Sequence, residues 1–456
     1  MQIAALSVVV VIVAAGCQNI GLGGYDSGPA APGGDGTVNN YGPGAFSQPA
    51  ANLDASEGAR FRIGDAFFTQ PWSAAPGSDA DRDGLGPTYL STSCAACHPA
   101  DGVASAPGPG AGAGVPILRF SDGALHEARP DAYNVQVQTR AVAGVDAEAQ
   151  IDLAWKEVDG RYPDGMPFSL REPVISVRGW SIEGVPAPST ATGVRMGPRL
   201  IGLGLLEAIP SGAIRAGADP EDLDGDGVSG VASMVDSPTL GPNVLGRFGL
   251  KANVATVEDQ TAIAYLLDLG ITSPIHAREN CPAPQASCVA SPTGGEPEIS
   301  AERFGDVVFY ARTLAVPGRP SAADASVLEG RSIFDDLGCS ACHTPSWTTG
   351  PDDIGALADQ SIHPYTDLLL HDMGEGLSDG RSDGMASPTE WRTSPLWGIG
   401  LVRTVNDEAG FLHDGRARSI EEAILWHGGE AGRSRDAFVG LSAANRDLVL
   451  VFLKSL

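Results

Sequence analysis

The chain has 456 residues and a formal net charge of −27 at pH 7, from 56 acidic residues against 29 lysines and arginines. Nucleic acid and anionic membranes would repel such a chain, so neither is an expected partner, and a basic or neutral protein fits better. The length predicts about two to four domains, and the 59 glycines and 34 prolines predict long irregular loops between short regular elements.

The N-terminus has the pattern of an exported protein. Residues 3–15 are almost wholly apolar, which is short for a membrane-spanning helix but suits the apolar core of a signal peptide. The run ends before Cys17 and resembles a bacterial lipoprotein signal, although no lysine or arginine precedes Arg60. We predict a signal segment over residues 1–17, a lipid anchor at Cys17, and a periplasmic or outer-envelope location. Residues 18–50, rich in Gly, Ala, Pro and Asn, predict a flexible linker.

The pattern Cys-x-x-Cys-His occurs twice. It attaches c-type haem, because two thiols add to the porphyrin vinyl groups and the adjacent imidazole binds the iron. A bare Cys-x-x-Cys would suit a redox dithiol or a zinc site, but both copies carry the histidine and neither lies in a thioredoxin-like βαβ pattern. We therefore predict two covalent haems. The attaching residues are Cys94, Cys97 and His98 for haem 1, and Cys339, Cys342 and His343 for haem 2.

Two other cysteines are predicted to form a disulfide. Cys281 and Cys288 lie seven residues apart in a proline-rich loop. Bacteria assemble covalent c-type haem outside the cytoplasm, where free thiols do not persist. Two free surface thiols are the alternative.

Two further segments recur in the same order after each motif. Residues 195–205 parallel residues 392–401 with one gap, and residues 248–260 parallel residues 411–423. Two related haem domains in tandem explain both matches. The first domain carries an additional long loop between its motif and its repeat.

Helical patterns support this division and place the boundary after residue 316. We predict a mainly α fold with long irregular loops, formed by two tandem cytochrome c-like domains. The first covers residues 51–316 and has large loop insertions, and the second covers residues 317–456. The predicted helices lie before the motifs at residues 57–68 and 322–336 and close the domains at residues 301–314 and 442–456.

These ordered motifs resemble the bacterial di-haem cytochrome c peroxidase superfamily. Residues 202–210, 368–381 and 411–431 are similar to its di-haem oxidoreductase branch, sometimes labelled thiol oxidoreductase. The resemblance covers the chain from about residue 50 to its end. It implies an oxidoreductase, often a homodimer, that takes electrons from a periplasmic protein and reduces a small oxidant such as hydrogen peroxide.

The resemblance also implies a sixth ligand for haem 2. Family members carry this ligand, usually Met, four residues after the alanine of a helix that Ala423 matches, so His427 takes its place. A bis-histidine haem should be low-spin and of lower potential than a His/Met haem. The alternative is a helix-end histidine stabilised by the helix dipole. His371 and His413 are expected to orient a propionate or shape the pocket.

For haem 1, the resemblance implies a peroxidatic site. Gln260 matches the family glutamine, and Asp268 resembles the family acid. Apart from the resemblance, Glu207 is an alternative acid near haem 1. Such a site needs a carboxylate that moves a proton between peroxide oxygens and an amide that holds the nascent water. The alternative is that Asp268 merely ends a helix before Gly270. Leu250 occupies the position where many members carry a tryptophan that relays electrons.

An acidic loop in the first domain is a candidate calcium site. Asp222, Asp224 and Asp226 match the opening of an EF-hand-like loop, but Ser233 stands where the closing glutamate belongs. Solvated Asp-Gly turns are the other interpretation.

Three functions are compatible with these residues. The first is a peroxidase in which electrons enter at haem 2 and reduce peroxide at haem 1. The second is a non-enzymatic electron carrier with two six-coordinate haems. The third is a thiol-oxidising or maturation enzyme that acts on a protein substrate, for which the chain has no spare Cys-x-x-Cys. The sixth position of haem 1 distinguishes the first from the second.

Overall fold

The computed structural model describes residues 30–106, 117–120, 133, 136–182 and 192–456. Within these ranges the chain forms eleven α-helices and six two-stranded antiparallel sheets joined by long irregular segments. The helix-rich, loop-rich prediction is confirmed, but it left out the sheets. The helices are α1 Ala55–Thr69, α2 Leu203–Glu207, α3 Ser211–Ala216, α4 Val257–Asp268, α5 Ala286–Val289, α6 Ala301–Thr313, α7 Ala325–Asp336, α8 Val402–Val405, α9 Ile420–Trp426, α10 Gly432–Gly440 and α11 Ala443–Ser455.

The sheets are small apart from one long hairpin. They pair β1 with β3, β2 with β6, β4 with β5, β7 with β8, β9 with β10, and β11 with β12. The strands are β1 Thr88–Tyr89, β2 Ile117–Phe120, β3 Arg140–Ala141, β4 Gln150–Arg161, β5 Pro167–Arg178, β6 Thr192–Arg195, β7 Met234–Ser237, β8 Gly241–Leu245, β9 Trp347–Thr348, β10 Ser361–Ile362, β11 Leu370–Asp372 and β12 Glu390–Arg392.

The same helix pair recurs in each half of the chain. α1 packs on α6, and α7 packs on α11, so the four helices predicted around the motifs are confirmed. The backbones touch at equivalent glycines: a Cβ on Gly64 would overlap the carbonyl oxygen of Asp306, and a Cβ on Gly330 would overlap that of Leu448. Only glycine allows helices to approach this closely.

An aromatic residue one turn after each of these glycines packs on the motif histidine. The ring centroids of Phe68 and His98 are 6.2 Å apart, and those of Phe334 and His343 are also 6.2 Å apart. The interplanar angles are 45° and 50°, respectively. Each half therefore holds its histidine ring in the same way.

The first predicted repeat has the same backbone in both halves. Gly202 and Gly398 have left-handed φ values of 70° and 72°. Two residues later, Gly204 and Gly400 touch the last helix of their own half, where a Cβ would overlap a helix carbonyl oxygen.

The second predicted repeat also matches. Residues 248–254 and 411–417 each close an antiparallel bridge between their first and last residues. Thr256 and Ser419 then cap α4 and α9, because each side chain accepts a hydrogen bond from the backbone N–H three residues later. The internal repeat is confirmed, while its identification with two cytochrome c domains stays a prediction.

The insertion in the first half contains the hairpin β4–β5. The two strands pair without a break, from Gln150 opposite Arg178 to Arg161 opposite Pro167. The prediction of an irregular loop was wrong here. Alternating apolar residues and a Pro-Asp-Gly turn at 163–165 are typical of a hairpin, and they are the signal that was missed.

The prediction of a flexible linker over residues 18–50 is wrong for residues 30–50. Phe46 is fully buried in the main core, and Val38 and Pro49 form β-bridges with Pro317 and Leu314. These bridges satisfy the backbone of a segment whose composition is typical of disorder. Residues 18–29, the signal segment and Cys17 lie outside the described residues.

The main apolar core connects the two halves. It lies among α1, α2, α4 and α6 of the first half and includes Trp397 and Val402 of the second. A smaller core, containing Phe334 and Phe452, lies between α7 and α11. The predicted disulfide between Cys281 and Cys288 is present. None of the described helices combines the length and the apolar composition needed to cross a membrane.

Candidate functional site

One continuous cavity is lined by both Cys-x-x-Cys-His motifs. The first cysteine of each motif begins a short 3-10 turn, Cys94–Ala96 or Cys339–Ala341. The four motif cysteines form no disulfide. Burial raises the pKa of the Cys97 and Cys339 thiols to about 12. Such protonated thiols are poor nucleophiles, unlike the attacking thiol of a redox dithiol.

His98, His343 and His427 line this cavity and share one arrangement. In each, Nδ1 lies within hydrogen-bond distance of a backbone carbonyl oxygen, which can only accept, so Nδ1 carries the proton. Burial lowers the pKa of all three, that of His343 to about 4, and keeps them neutral. Nε2 is therefore the nitrogen available to a metal. The acceptors are, respectively, the carbonyl oxygens of Pro198 at 2.7 Å, Tyr365 at 3.1 Å and Ala423 at 2.7 Å.

Polar groups in the cavity fit the carboxylates of haem. The buried Trp397 Nε1 lines the cavity and has no hydrogen-bond acceptor among the described residues. Arg199 and Arg392 also line it, and burial lowers the pKa of each to about 10. A propionate would accept from the indole and neutralise buried guanidinium charge. With thiols and neutral imidazoles on the same cavity, the donor set fits haem.

The internal repeat relates α4 to α9 residue by residue. Eight residues after the cap Ser419, at the end of α9, stands His427; eight residues after the cap Thr256, on α4, stands Ala264. Both residues line the cavity. A methyl group therefore stands on the haem 1 side where the haem 2 side has an imidazole.

The two predicted catalytic residues of haem 1 lie on the same helix as Ala264. Gln260, Ala264 and Asp268 follow one another at intervals of four residues, which places them on one face of α4, and all three line the cavity. Burial raises the pKa of the Asp268 carboxyl.

Sequence reasoning missed two residues that support Asp268. Gln136 Nε2 donates to Asp268 Oδ1 at 2.6 Å and to the Leu267 carbonyl oxygen at 3.0 Å. Gln136 Oε1 accepts from Arg119 Nε at 3.1 Å, and Arg119 lines the cavity. Both lower the pKa of Asp268, but less than burial raises it. These residues come from the insertion, far from Asp268 in sequence, so no local pattern identifies them.

Glu207, the predicted alternative acid, is not among the residues that line the cavity. One carboxylate oxygen accepts from the Val257 N–H at 2.7 Å at the start of α4, and the other lies 2.7 Å from Arg312 Nε. The site prediction is corrected here, because both oxygens are held by structural partners away from the cavity.

His371 and His413 lie around the cavity without the arrangement of the three ligand candidates. Both nitrogens of His371 lie 2.8 Å from a carboxylate, of Asp367 and of Glu430. Burial opposes its charge, but hydrogen bonds with Asp367, Cys342 and Glu430 raise its pKa to about 12. Because carboxylates engage both nitrogens, neither is available to iron. His413 stacks on Trp391, with ring centroids 3.8 Å apart and an interplanar angle of 12°.

The acidic loop gathers a different set from the one predicted. Carboxylate oxygens of Asp219, Asp222 and Asp224 lie within 4.8 Å of one another. Asp226 is not in this group, and its carboxylate accepts from the Val228 N–H at 2.8 Å. Calcium binding stays a prediction.

The fold and the cavity define a protein with two haem sites in one chain. The model of the family described as "Di-haem oxidoreductase, putative peroxidase" matches residues 28–113 and 109–456. The chain therefore belongs to this family, and haem is its cofactor. No curated protein is similar enough to count as a match. Among solved structures, Kuenenia stuttgartiensis hydrazine synthase, pressurised with 20 bar xenon, is 14% identical over 92% of this chain and 97% of its own, with a TM-score of 0.33.

Proposed function

We propose that this protein is a di-haem peroxidase in which electrons enter at haem 2 and pass to haem 1, where hydrogen peroxide is reduced. Membership of the oxidoreductase family supports the class. The observation that carries the peroxide assignment is Ala264, which stands on the haem 1 side in the register of His427. A methyl group cannot ligate iron, so the position that matches His427 would leave room for the substrate.

The bound haems would supply the redox chemistry, in which two electrons and two protons convert one peroxide into two waters. His98 would hold the iron from the proximal side. Asp268 would take the proton from the first peroxide oxygen and deliver it to the second, and Gln260 would hold the departing water by its amide. A pKa raised by burial suits this carboxyl, because proton transfer in both directions is fastest when the pKa is near the working pH.

In this proposal an aromatic pair in the cavity carries electrons between the haems. The stacked pair Trp391 and His413 lines it together with both motifs. Lys251 Nζ lies 4.1 Å from the Trp391 ring centroid, and its positive charge disfavours removal of an electron from the ring. In the proposed route, Trp391 therefore conducts electrons without forming a long-lived radical. It takes the role of the relay tryptophan of other family members, whose position Leu250 occupies here.

Optical and EPR spectra of the oxidised and half-reduced protein, before and after peroxide, test this function. We expect a high-spin haem 1 whose spectrum changes on peroxide addition, and a low-spin haem 2. Two low-spin haems that peroxide leaves unchanged, even after one is reduced, would overturn the proposal and leave the electron carrier.

We further propose that the protein is exported and lipid-anchored through Cys17, receives electrons from a basic or neutral periplasmic protein, and forms a homodimer. The disulfide and the acidic surface support the location and the partner. Fatty-acid labelling of cells tests the anchor: label should enter the wild type and not Cys17→Ser.

A further inference from the structure

We call the hairpin β4–β5, residues 150–178, the strap, because it runs from the first half of the chain to the second. Its base belongs to the first half. There Ile151 and Val177 pack against Leu118 of β2 and Val194 of β6. The base is thus fixed to a sheet whose strands carry cavity-lining residues of the haem 1 side.

The distal part of the strap packs on α9. Phe168 and Leu170 of β5 join Leu425 and Trp426 of α9 in one apolar cluster, in which Leu170 and Leu425 are buried. α9 has only seven residues, which is too short for a helix to be stable without tertiary contacts. The strap supplies such contacts up to the residue before His427.

Polar contacts fix the first turn of α9 and the loop before it. The hydroxyl of Tyr162, at the strap turn, donates to Glu421 Oε1 at 2.8 Å. Arg171 donates to the carbonyl oxygens of Gly415 and Arg416 at 2.8 and 2.9 Å. These bonds prevent the helix from sliding along its axis.

Two ion pairs hold the strap itself against the second half. Arg418 lies 3.2 Å from Glu157 of β4. Arg446 of α11 lies 2.6 Å from Asp164 in the turn and stacks over the Tyr162 ring, with its Cζ 3.8 Å from the centroid. Arg446 is 2% exposed, so this pair is screened from water on the arginine side.

From these contacts we propose that the strap is a positioning element for His427. The imidazole is bonded through Nδ1 to Ala423 of its own helix, so its place is set by the place of α9. The strap holds α9 and thereby keeps Nε2 at the distance from haem 2 at which it binds iron. This inference rests on the proposed ligation of haem 2 by His343 and His427.

The test uses the full haem-loaded protein and carbon monoxide, which binds ferrous haem only after the sixth ligand leaves. The variant Glu157→Gln/Tyr162→Phe/Arg171→Met removes polar contacts and leaves the apolar cluster. We expect carbon monoxide to bind haem 2 about tenfold faster than in the wild type, the effect of losing one or two hydrogen bonds. Haem 1, which lacks a sixth ligand in the proposed function, gives a fast phase of carbon monoxide binding in the wild type and in the variant alike.

The matched control is Lys156→Gln/Glu172→Gln. This exposed cross-strand pair, 3.1 Å apart, lies on the same hairpin, and the wild-type carbon monoxide rate should persist. An unchanged rate in the triple variant, or an equal increase in the control, would overturn the positioning role. If the triple variant does not fold, Tyr162→Phe alone decides between the same outcomes, with a smaller increase expected.

His427→Ala separates this inference from the function on which it rests. It should give haem 2 the fast carbon monoxide phase of an open haem. If it leaves the slow phase of the wild type unchanged, His427 is not the ligand and the proposed ligation fails. If it behaves as expected and the strap variants do not, only the strap proposal fails.

Discussion

The repeated segments of the two halves share a backbone and differ in the side chains that they carry into the cavity. The capped helices α4 and α9 follow matching turns, yet they present Ala264 and His427 in the same register. Four residues earlier they present Gln260 and Ala423. One scaffold thus gives one half an imidazole and the other half a methyl group with an amide nearby. In the proposed function, the difference between an electron-transfer haem and a reactive haem rests on a few positions of a repeated helix.

Exchanging the residue that distinguishes the halves should have the largest effect. Ala264→His should reduce peroxidase activity to background, because an internal imidazole has a high effective concentration at the sixth position. Haem 1 should become low-spin in the EPR spectrum. Ala264→Val adds bulk without a nitrogen and should leave haem 1 high-spin; a low-spin valine variant would contradict the assignment.

Asp268→Asn should lower kcat/KM for peroxide by about 10²–10⁴-fold, because the amide cannot shuttle a proton. The haem 2 spectrum should not change. A loss of less than about tenfold would show that another group moves the proton.

Asp268→Asn lowers activity, but it should raise the stability of the folded protein. A carboxyl whose pKa burial raises above its ordinary value of 3.8 binds more protons folded than unfolded. The free energy of unfolding therefore falls as pH rises from that value through the raised pKa. Asp268→Asn should lose this decrease and unfold at a higher temperature than the wild type above that range. Thermal unfolding measured against pH checks the sign.

Replacing equivalent glycines by alanine tests whether the repeated turns pack in the same way in both halves. Gly204→Ala and Gly400→Ala should each cost about 1–3 kcal/mol of unfolding free energy, because the new Cβ overlaps a helix carbonyl oxygen. Denaturant unfolding of the haem-loaded protein measures both. Gly355→Ala, where a Cβ meets nothing within 4 Å, is the control. A cost in only one half would break the equivalence.

The smallest expected effect concerns the support of Asp268. Gln136→Leu removes the donor to Asp268 Oδ1, so the pKa of the carboxyl rises further. We expect kcat/KM to fall about two- to tenfold and the acid limb of its pH profile to move to higher pH. The exposed Gln150→Leu should leave the profile unchanged. A uniform loss without a shift of that limb would indicate a merely structural role.

Local patterns account for what the sequence predicted. The motifs, the disulfide, the helices around each motif and the two repeated turns depend on residues close together in the chain. The structure brings Gln260, Asp268 and His427 to one cavity. Their assigned roles stay predictions.

Contacts between distant segments account for what the sequence did not predict. Gln136 and Asp268 are 132 residues apart, and nothing near either residue marks the pair. Glu207 was predicted as an alternative acid, but its partners Val257 and Arg312 come from other elements and hold it away from the cavity. The linker prediction failed at Phe46 because composition describes an average, while burial depends on single residues.

The strap also constrains how the chain can reach its folded state. Tyr162 meets Glu421 and Asp164 meets Arg446 across sequence separations of 259 and 282 residues. The first half therefore cannot complete its packing until nearly the whole chain is present, and contacts of such high sequence separation form slowly. We expect the halves to fold as one cooperative unit. A fragment ending at residue 316 would expose Phe168 and Leu170 and tend to aggregate.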